Sequence, residues 1–566
     1  MILRAIAVAL AVLGVCEIAS PTSARADDAG GVLPSFGARA PREAWVRPPG
    51  LPTDDALVAA GARIGAVRIQ AQPIFDTTNP QENTSLFRLA NRLHLRTREA
   101  TIADQLLFRT GDPYEPRLLQ ETARILRTTR YLHDADVRPV RAANGVVDIE
   151  VLSRDVWTLN PGVSFGRSGG QNTSGFEIEE LNLLGLGTAL SASHKSGVDR
   201  SSNTLFYDDR QLFGTWWSLG AKYASNSDGR RSDLSLEHPF YALDTRWAAG
   251  FTVNDDERVD TLYDRGKVVD RFATHERRAR AYVGRSRGLR NGWVTRWTTG
   301  LAFQESRFGV AVNDPVATVQ VPPDRKLAYP WIAMEVLADE FQTARNRNQI
   351  ERTEDVRLGL RLHAEIGATS ASLGSDRSSV LFDLSAGKGF RTTDRQTIEL
   401  SAAASGRWEG GAAANMVLGA AARYYLRHSP RRLSFLSVSV DTASNLDLDK
   451  QLLLGGDNGL RGYPLRYQGG EGRWLFTAEQ RFYTNWYPFR LFNVGGAVFY
   501  DMGGTWGNNL RGTRAQGILK DIGVGLRLGN SRSARGNVLH FDVAVPLDGD
   551  RSIKSVQFLV QTKRAY

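Results

Sequence analysis

Over the C-terminal three quarters of the chain, apolar and polar residues alternate with a period of two. Leu358, Leu360, Leu362, Ala364 and Ile366 interleave with Arg357, Gly359, Arg361, His363 and Glu365. The same dyad recurs at Ile522, Val524, Leu526 and Leu528, and again at Leu539, Phe541, Val543 and Val545. An extended strand sends successive side chains to opposite faces, so each segment has one apolar and one polar side. Its length suits the ~9–11 residues that a tilted strand needs to cross a bilayer. A soluble β-sandwich also alternates, but usually with shorter strands. Aromatic pairs such as Trp216-Trp217 and Trp486-Tyr487 sit like interfacial girdles and favour the bilayer. The reading for 155–566 is therefore a transmembrane antiparallel β-barrel. Roughly 410 residues, at about 25 per strand and connection, predict on the order of 16 strands. Long polar segments such as 255–275 are expected to be loops outside the membrane.

Upstream the period changes. In 62–154, Val67, Ile69 and Ala71 alternate as a strand, and a helical stretch follows over 101–108. After the turn Gly111-Asp112-Pro113, Pro116 opens a second helix with Leu118, Leu119, Thr122, Ile125 and Leu126 on one face. A hairpin closes the segment. Its arms are 135–140 and the stretch carrying Val147, Ile149 and Val151, with Asn144-Gly145 as a type I′ turn signal. The order strand, helix, helix, strand, strand predicts one small α/β domain. Residues 27–61, with Pro34, Pro41, Pro48, Pro49 and Pro52, read as a Pro/Ala/Gly-rich linker.

The first 26 residues set the compartment. Arg4 precedes an apolar run over 5–15, and Ala24-Arg25-Ala26 offers small residues where a signal peptidase reads. This is the pattern of a cleaved secretory signal, cut after Ala26, and its apolar run is too short to span a bilayer. A lipidated Cys16 is the rival reading, and Val15, where a small residue is needed, counts against it. Cys16 is the single cysteine, so the exported chain has no disulfide to rely on. No later run reaches roughly 18 apolar residues, which leaves strands to cross the membrane. Mean hydropathy is −0.31, yet 55 Gly, 24 Phe, 16 Tyr and 12 Trp spread through short segments suit a barrel in which every second residue meets lipid. A net charge of +10 points to anionic surfaces such as phosphorylated lipid headgroups, and export argues against nucleic acid.

The most specific residues lie near the C-terminus. They are Leu454-Gly455-Gly456-Asp457-Asn458-Gly459-Leu460-Arg461-Gly462-Tyr463-Pro464, then Glu479-Gln480-Arg481-Phe482, then Phe499-Tyr500-Asp501-Met502-Gly503-Gly504-Thr505-Trp506. Parity puts Thr477, Glu479 and Arg481 on one strand face, and Phe499, Asp501 and Gly503 on one face of the next. Carboxylates are tolerable there only if that face lines a wet lumen. A guanidinium brought by the preceding loop could bridge Glu479 and Asp501 with paired hydrogen bonds that Lys could not reproduce. Gly459 and Gly462 would let the loop tip turn tightly against the wall. The alternative is an ordinary hairpin turn over 459–464, with carboxylates that only face water.

These motifs resemble the sixth loop and following strands of the BamA/TamA-type outer-membrane assembly and translocation barrels, the bacterial surface antigen family. Asp521-Ile522-Gly523-Val524-Gly525-Leu526-Arg527 and Phe541-Asp542-Val543-Ala544-Val545-Pro546-Leu547 resemble that family's last strands. Phe558, Val560 and the terminal Tyr566 resemble its C-terminal barrel signal, with Arg564 as a departure. The resemblance implies that Gly459, Arg461, Gly462 and Tyr463 fold into the lumen and that Arg461 meets Glu479 and Asp501. It also implies that 62–154 is a polypeptide-transport-associated (POTRA) domain in the periplasm, present here once where relatives carry several. The function implied is assembly or translocation of polypeptide clients at the bacterial outer membrane. A dedicated two-partner-type exporter of one secreted protein is the alternative, and a passive pore or adhesin the bland one. Expected partners are outer-membrane lipid, unfolded polypeptide clients, and accessory proteins of the periplasm or inner membrane. Neither catalysis nor a cofactor is expected. Gly162-Val163-Ser164-Phe165-Gly166 matches a serine-hydrolase pattern without the strand-to-helix elbow that pattern needs, and 8 His show no metal-ligand spacing.

Overall fold

The computed structural model describes residues 45–312, 314, 316, 320–508, 517–532 and 538–563. The signal segment 1–26, much of the expected linker, Arg564 and Tyr566 lie outside the described residues.

The N-terminal domain is built from α1 (Asp54–Ala59), β1 (Arg63–Gln72), α2 (Ser85–Leu93), α3 (Glu99–Ala103), α4 (Pro116–Thr128), β2 (Leu132–Ala143) and β3 (Val146–Asp155). Its sheet runs β1-β3-β2, with β1 parallel and β2 antiparallel to the central β3. Pro116 takes the first helical position of α4, where its missing N–H costs nothing. Spacing by three and four then turns Leu119, Ala123 and Leu126 onto the sheet. They meet Ile64, Val147 and Ile149 in one buried cluster, each Leu or Ile contributing roughly 1.5–3 kcal/mol. Three helices depart from the sequence reading. α3 covers Glu99–Ala103 and ends well before the close of the stretch expected over 101–108. α1 lies in the stretch read as linker, and its Leu57 enters this core. α2, capped by Thr84, is an element that the sequence reading does not contain.

The second part is a closed antiparallel barrel of twenty strands, from Leu159–Ser168 to Gln557–Lys563. The expected count of 16 is therefore corrected upward. It assumed long connections, whereas several hairpins close through two residues only, among them Gly169-Gly170, Arg265-Gly266 and Gly410-Gly411. The segment 255–275 is likewise not a loop. It belongs to the paired strands Trp247–Asp264 and Lys267–Ser286, the longest hairpin of the barrel. Arg265 and Gly266, with φ of 50° and 73°, turn it, as a two-residue type I′ turn requires. The cleanest alternating segment is also interrupted. Glu354–Arg357 pairs with Phe341–Ala344 in a separate hairpin, and the barrel strand starts only at Arg361. Gly359 marks the break, because its backbone runs against the carbonyl of Ala338, where a Cβ would come within 2.3 Å.

Exposure is inverted relative to a soluble protein. Ile522 and Val524 point outward with 42 and 55% of their surface exposed, while Arg481 and Arg527 point inward and are 1 and 0% exposed. Only a wall with lipid outside and a polar lumen inside accounts for that arrangement. The ring closes where the ends of the barrel meet, first strand against last. Among the described residues, the last strand aligns with its neighbour Val538–Pro546 at seven positions and with the first strand at one, Val560 with Arg167.

Candidate functional site: the occluded lumen

The far opening of the barrel, opposite the N-terminal domain, is crossed by the loop 445–471. A short hairpin, Leu452–Leu454 with Gln468–Gly470, stiffens it, and its tip folds back inside. Leu454, Leu460, Tyr463, Tyr467 and Leu519 form a buried cluster that seats this lid on the wall. The Tyr463 hydroxyl donates to the carbonyl of Lys520 at 2.7 Å. Gly462 lies so close to Asp521 that a Cβ would meet the Asp521 Cβ at 2.6 Å. At Gly459, φ is 135° and a Cβ would meet Leu475 at 2.1 Å. Both positions exclude a side chain.

This fit delivers Arg461 to the acids. Its Nε and Nη2 donate to the two oxygens of Asp501 at 2.6 and 2.9 Å, and Nη1 donates to Glu479 at 2.8 Å. The guanidinium lies over the Phe499 ring at 3.4 Å. The wall is prepared for it. Strands Gly472–Tyr483 and Phe492–Trp506 pair Thr477 with Asp501 and Glu479 with Phe499, so all four face inward at adjacent heights. Thr477 donates to Asp501 at 2.9 Å. Arg461 is 6% exposed, Glu479 7% and Asp501 0%. In such dry surroundings a bidentate charge pair is strong only because its remaining lone pairs are also satisfied. Further along the tip, Arg466 pairs with Asp199 at 2.6 Å on the opposite wall and covers Tyr263. The lid thus spans the opening.

A different device enters from the near opening. Between strands Arg325–Ala338 and Arg361–Thr369 the chain forms the hairpin Phe341–Ala344 with Glu354–Arg357, and the tip of this strap turns into the lumen. Ile350 packs with Tyr425, Leu433, Tyr483, Ala497 and Val538. Arg347 pairs with Glu399 at 2.6 Å and lies over the Tyr425 ring. The base of the strap is held by the N-terminal domain. Arg127 of α4 grips Asp355 through Nε and Nη2 at 2.7 and 2.6 Å, and Thr353 donates to Asp134 at 3.0 Å. Beside this contact Glu121 accepts from the Leu243 N–H of a barrel turn, and burial pushes its carboxyl above the usual range.

Lid and strap meet at one residue. Arg481 donates to Glu479 at 2.9 Å and, through Nη1, to the Arg347 carbonyl at 2.8 Å. A chain of contacts therefore runs from Asp501 through Arg461, Glu479 and Arg481 to the strap, and from the strap through Asp355 to α4.

A family model for the Omp85 superfamily domain matches residues 182–560. The chain belongs to the Omp85 superfamily. As an Omp85 barrel it is a bacterial outer-membrane protein. Among solved structures it is similar to BamA from Haemophilus ducreyi lacking POTRA domains 1–3, with 12% identity, a TM-score of 0.37, and coverage of 88% of this chain and 84% of that one. CdiB from Acinetobacter baumannii gives 15% identity, a TM-score of 0.41, and coverage of 88 and 74%. CdiB from Escherichia coli gives 12%, 0.46, and 90 and 77%. A search of curated proteins finds no match.

In this Omp85 barrel the structure brings Gly459, Arg461, Gly462, Tyr463, Glu479 and Asp501 together in the lumen. Phe558 faces outward, 56% exposed, and Val560 lies at the seam. Ser164 sits in mid-strand within Leu159–Ser168, with no elbow to expose it. Sequence reasoning missed the strap entirely. It placed Arg481 on the lumen face without finding its role as the link to the strap. The missed signal was the short polar segment 345–353, whose only apolar residue is Ile350.

Proposed function

We propose that this chain assembles or translocates polypeptide clients at the outer membrane, with residues 62–154 acting in the periplasm as a POTRA-like module and residues 1–26 removed on export. The observation that carries this reading is a lumen entered from both ends by the chain's own lid and strap, in a ring whose first and last strands align at one pair among the described residues. A passive pore keeps its lumen open and its seam zipped. In this reading β2, at the edge of the N-terminal sheet, accepts an extended client by strand addition. The client then reaches the barrel beside the strap that α4 holds. Arg461 keeps the far end shut while this happens, and no nucleotide or catalytic group takes part. Membership of the Omp85 superfamily supports the reading.

The test is depletion of the protein followed by quantitative proteomics of the outer-membrane fraction. Loss of many other barrels marks an assembly factor, and loss of one surface or secreted protein marks a dedicated exporter. An unchanged profile overturns both.

A further inference from the structure

Helix α2 has three distinct sides. Toward the protein it turns Phe87, stacked on Phe75 at 4.0 Å, and Asn91, which bonds the Phe75 backbone through both amide atoms. At its end His94 is buried against Asp155 at 3.0 Å. A second side carries Leu86, Leu89 and Leu93, within an arc of about 60° at 100° per residue. These side chains are 67, 50 and 66% exposed, and Leu95 just beyond adds another at 51%. Arg88 and Arg92 form the third side, both exposed. A soluble domain has no reason to display three leucines in register on nine residues.

The position of the helix says what covers them. The segment before it is tied to barrel turns on one side of the seam, since Arg532 bonds both Glu82 and the Ile74 carbonyl and covers the Phe75 ring. The segment after it is tied to the turn on the other side, where Arg98 bonds the carbonyls of Gly185 and Leu184 at 3.0 and 2.9 Å and Asn182 bonds Thr97. The helix therefore bridges the rim beneath the junction of first and last strands. The same rim exposes Leu184, Leu186, Trp486 and Phe489, continuous with the lipid-facing Leu159 and Val163 of the first strand.

We infer that α2 is an interfacial helix that inserts Leu86, Leu89 and Leu93 into the phospholipid monolayer at this rim, beside the seam. Apolar residues on one flank and Arg88 and Arg92 on the next place acyl chains and headgroup phosphates where each is best solvated. A low overall hydrophobicity with a strong segregation of faces is the signature of a helix that lies on a membrane rather than through it. The N-terminal domain is thereby held against the bilayer beside the junction of the first and last strands. The inference depends on which end of the barrel carries the helix, not on which way that end faces in the cell.

The test is site-directed spin labelling of the full chain, with Cys16 replaced by Ser. Nitroxides are placed one at a time through Leu86→Cys, Leu89→Cys, Leu93→Cys, Arg88→Cys and Arg92→Cys, in nanodiscs of phosphatidylethanolamine and phosphatidylglycerol. The leucine sites are expected to be accessible to oxygen and screened from a soluble nickel chelate, about 5–10 Å below the phosphates. The arginine sites should show the reverse. Equal nickel access at all five sites overturns the inference. So does screening of the leucine sites from nickel and oxygen alike, because packed protein rather than fluid acyl chains would then cover them. A variant with all three leucines changed to Asn gives an independent readout. It should lose the lipid-dependent protection of the α2 amides from hydrogen exchange while the barrel amides stay protected.

Discussion

Replacing Arg461 by Ala removes three charge-assisted hydrogen bonds and the ring contact with Phe499, and leaves two carboxylates behind in a dry wall. Glu479 keeps Arg481 and Asp501 keeps Thr477, but neither acid gains access to water while the lid stays seated. Removing one partner of a buried ion pair costs about 3–5 kcal/mol, and each 1.4 kcal/mol is about tenfold in an equilibrium. Lid opening should therefore rise roughly a hundred- to a few-thousand-fold. The measurement is hydrogen exchange at the tip, where the Gly456 N–H bonds the Pro464 carbonyl and the Leu460 N–H bonds the Gly455 carbonyl. These amides should speed up by that factor, while those of strands Gly472–Tyr483 and Phe492–Trp506 change little. Arg461→Lys keeps the charge but cannot fork to Asp501 while reaching Glu479, so it should fall between Ala and wild type. A change below roughly threefold for Ala, by the same arithmetic, would refute the reasoning and mean that the acids are hydrated and the loop is held by its apolar cluster alone.

Three further outcomes follow from the same geometry. In a Cys16-free chain, Ile350→Cys with Gly529→Cys should form a disulfide spontaneously, since a Cβ at 529 lies 3.2 Å from that of Ile350, near the usual Cβ spacing. Bilayer conductance and client passage should then stop under oxidation and return on reduction. Gly462→Ala should unseat the lid with Arg461 intact, because the new methyl meets Asp521 and the Pro546 backbone; tip amides should exchange faster, as in Arg461→Ala. Arg127→Ala should loosen the strap from α4 while leaving the lid in place. Distance measurements between spin labels on α4 and on the strap should broaden, and an unchanged distribution would mean that the remaining contacts suffice to hold it: Thr353 with Asp134, Arg352 with the Leu132 carbonyl, and Arg124 over the Phe341 ring.

The local code was enough for part of this protein. A period of two fixes which side of a strand meets lipid, and so Glu479 and Asp501 could be assigned to the lumen from parity alone. The type I′ signal at Asn144-Gly145 and the amphipathic spacing of α4 likewise act within a few residues. α2 obeys the same local rules, with Thr84 as cap and leucines at spacings of three and four, yet its leucines face away from the domain core, so core-directed periodicity does not mark it. What no local rule holds is height and closure. The number of strands depends on how tightly each hairpin turns, and two-residue turns are legible only where Gly or Asn marks them. Alternation continues from Arg357 to Ile366 through a break, because side-chain parity says nothing about whether the backbone stays paired. The partnership of Arg481 with the Arg347 carbonyl joins residues 134 positions apart, and that of Arg127 with Asp355 joins residues 228 apart. Those contacts exist because a closed ring forces distant segments into one narrow space, where every buried charge must find a partner. Sequence alone determined the faces; only the tertiary structure decided which of the charges on them would meet.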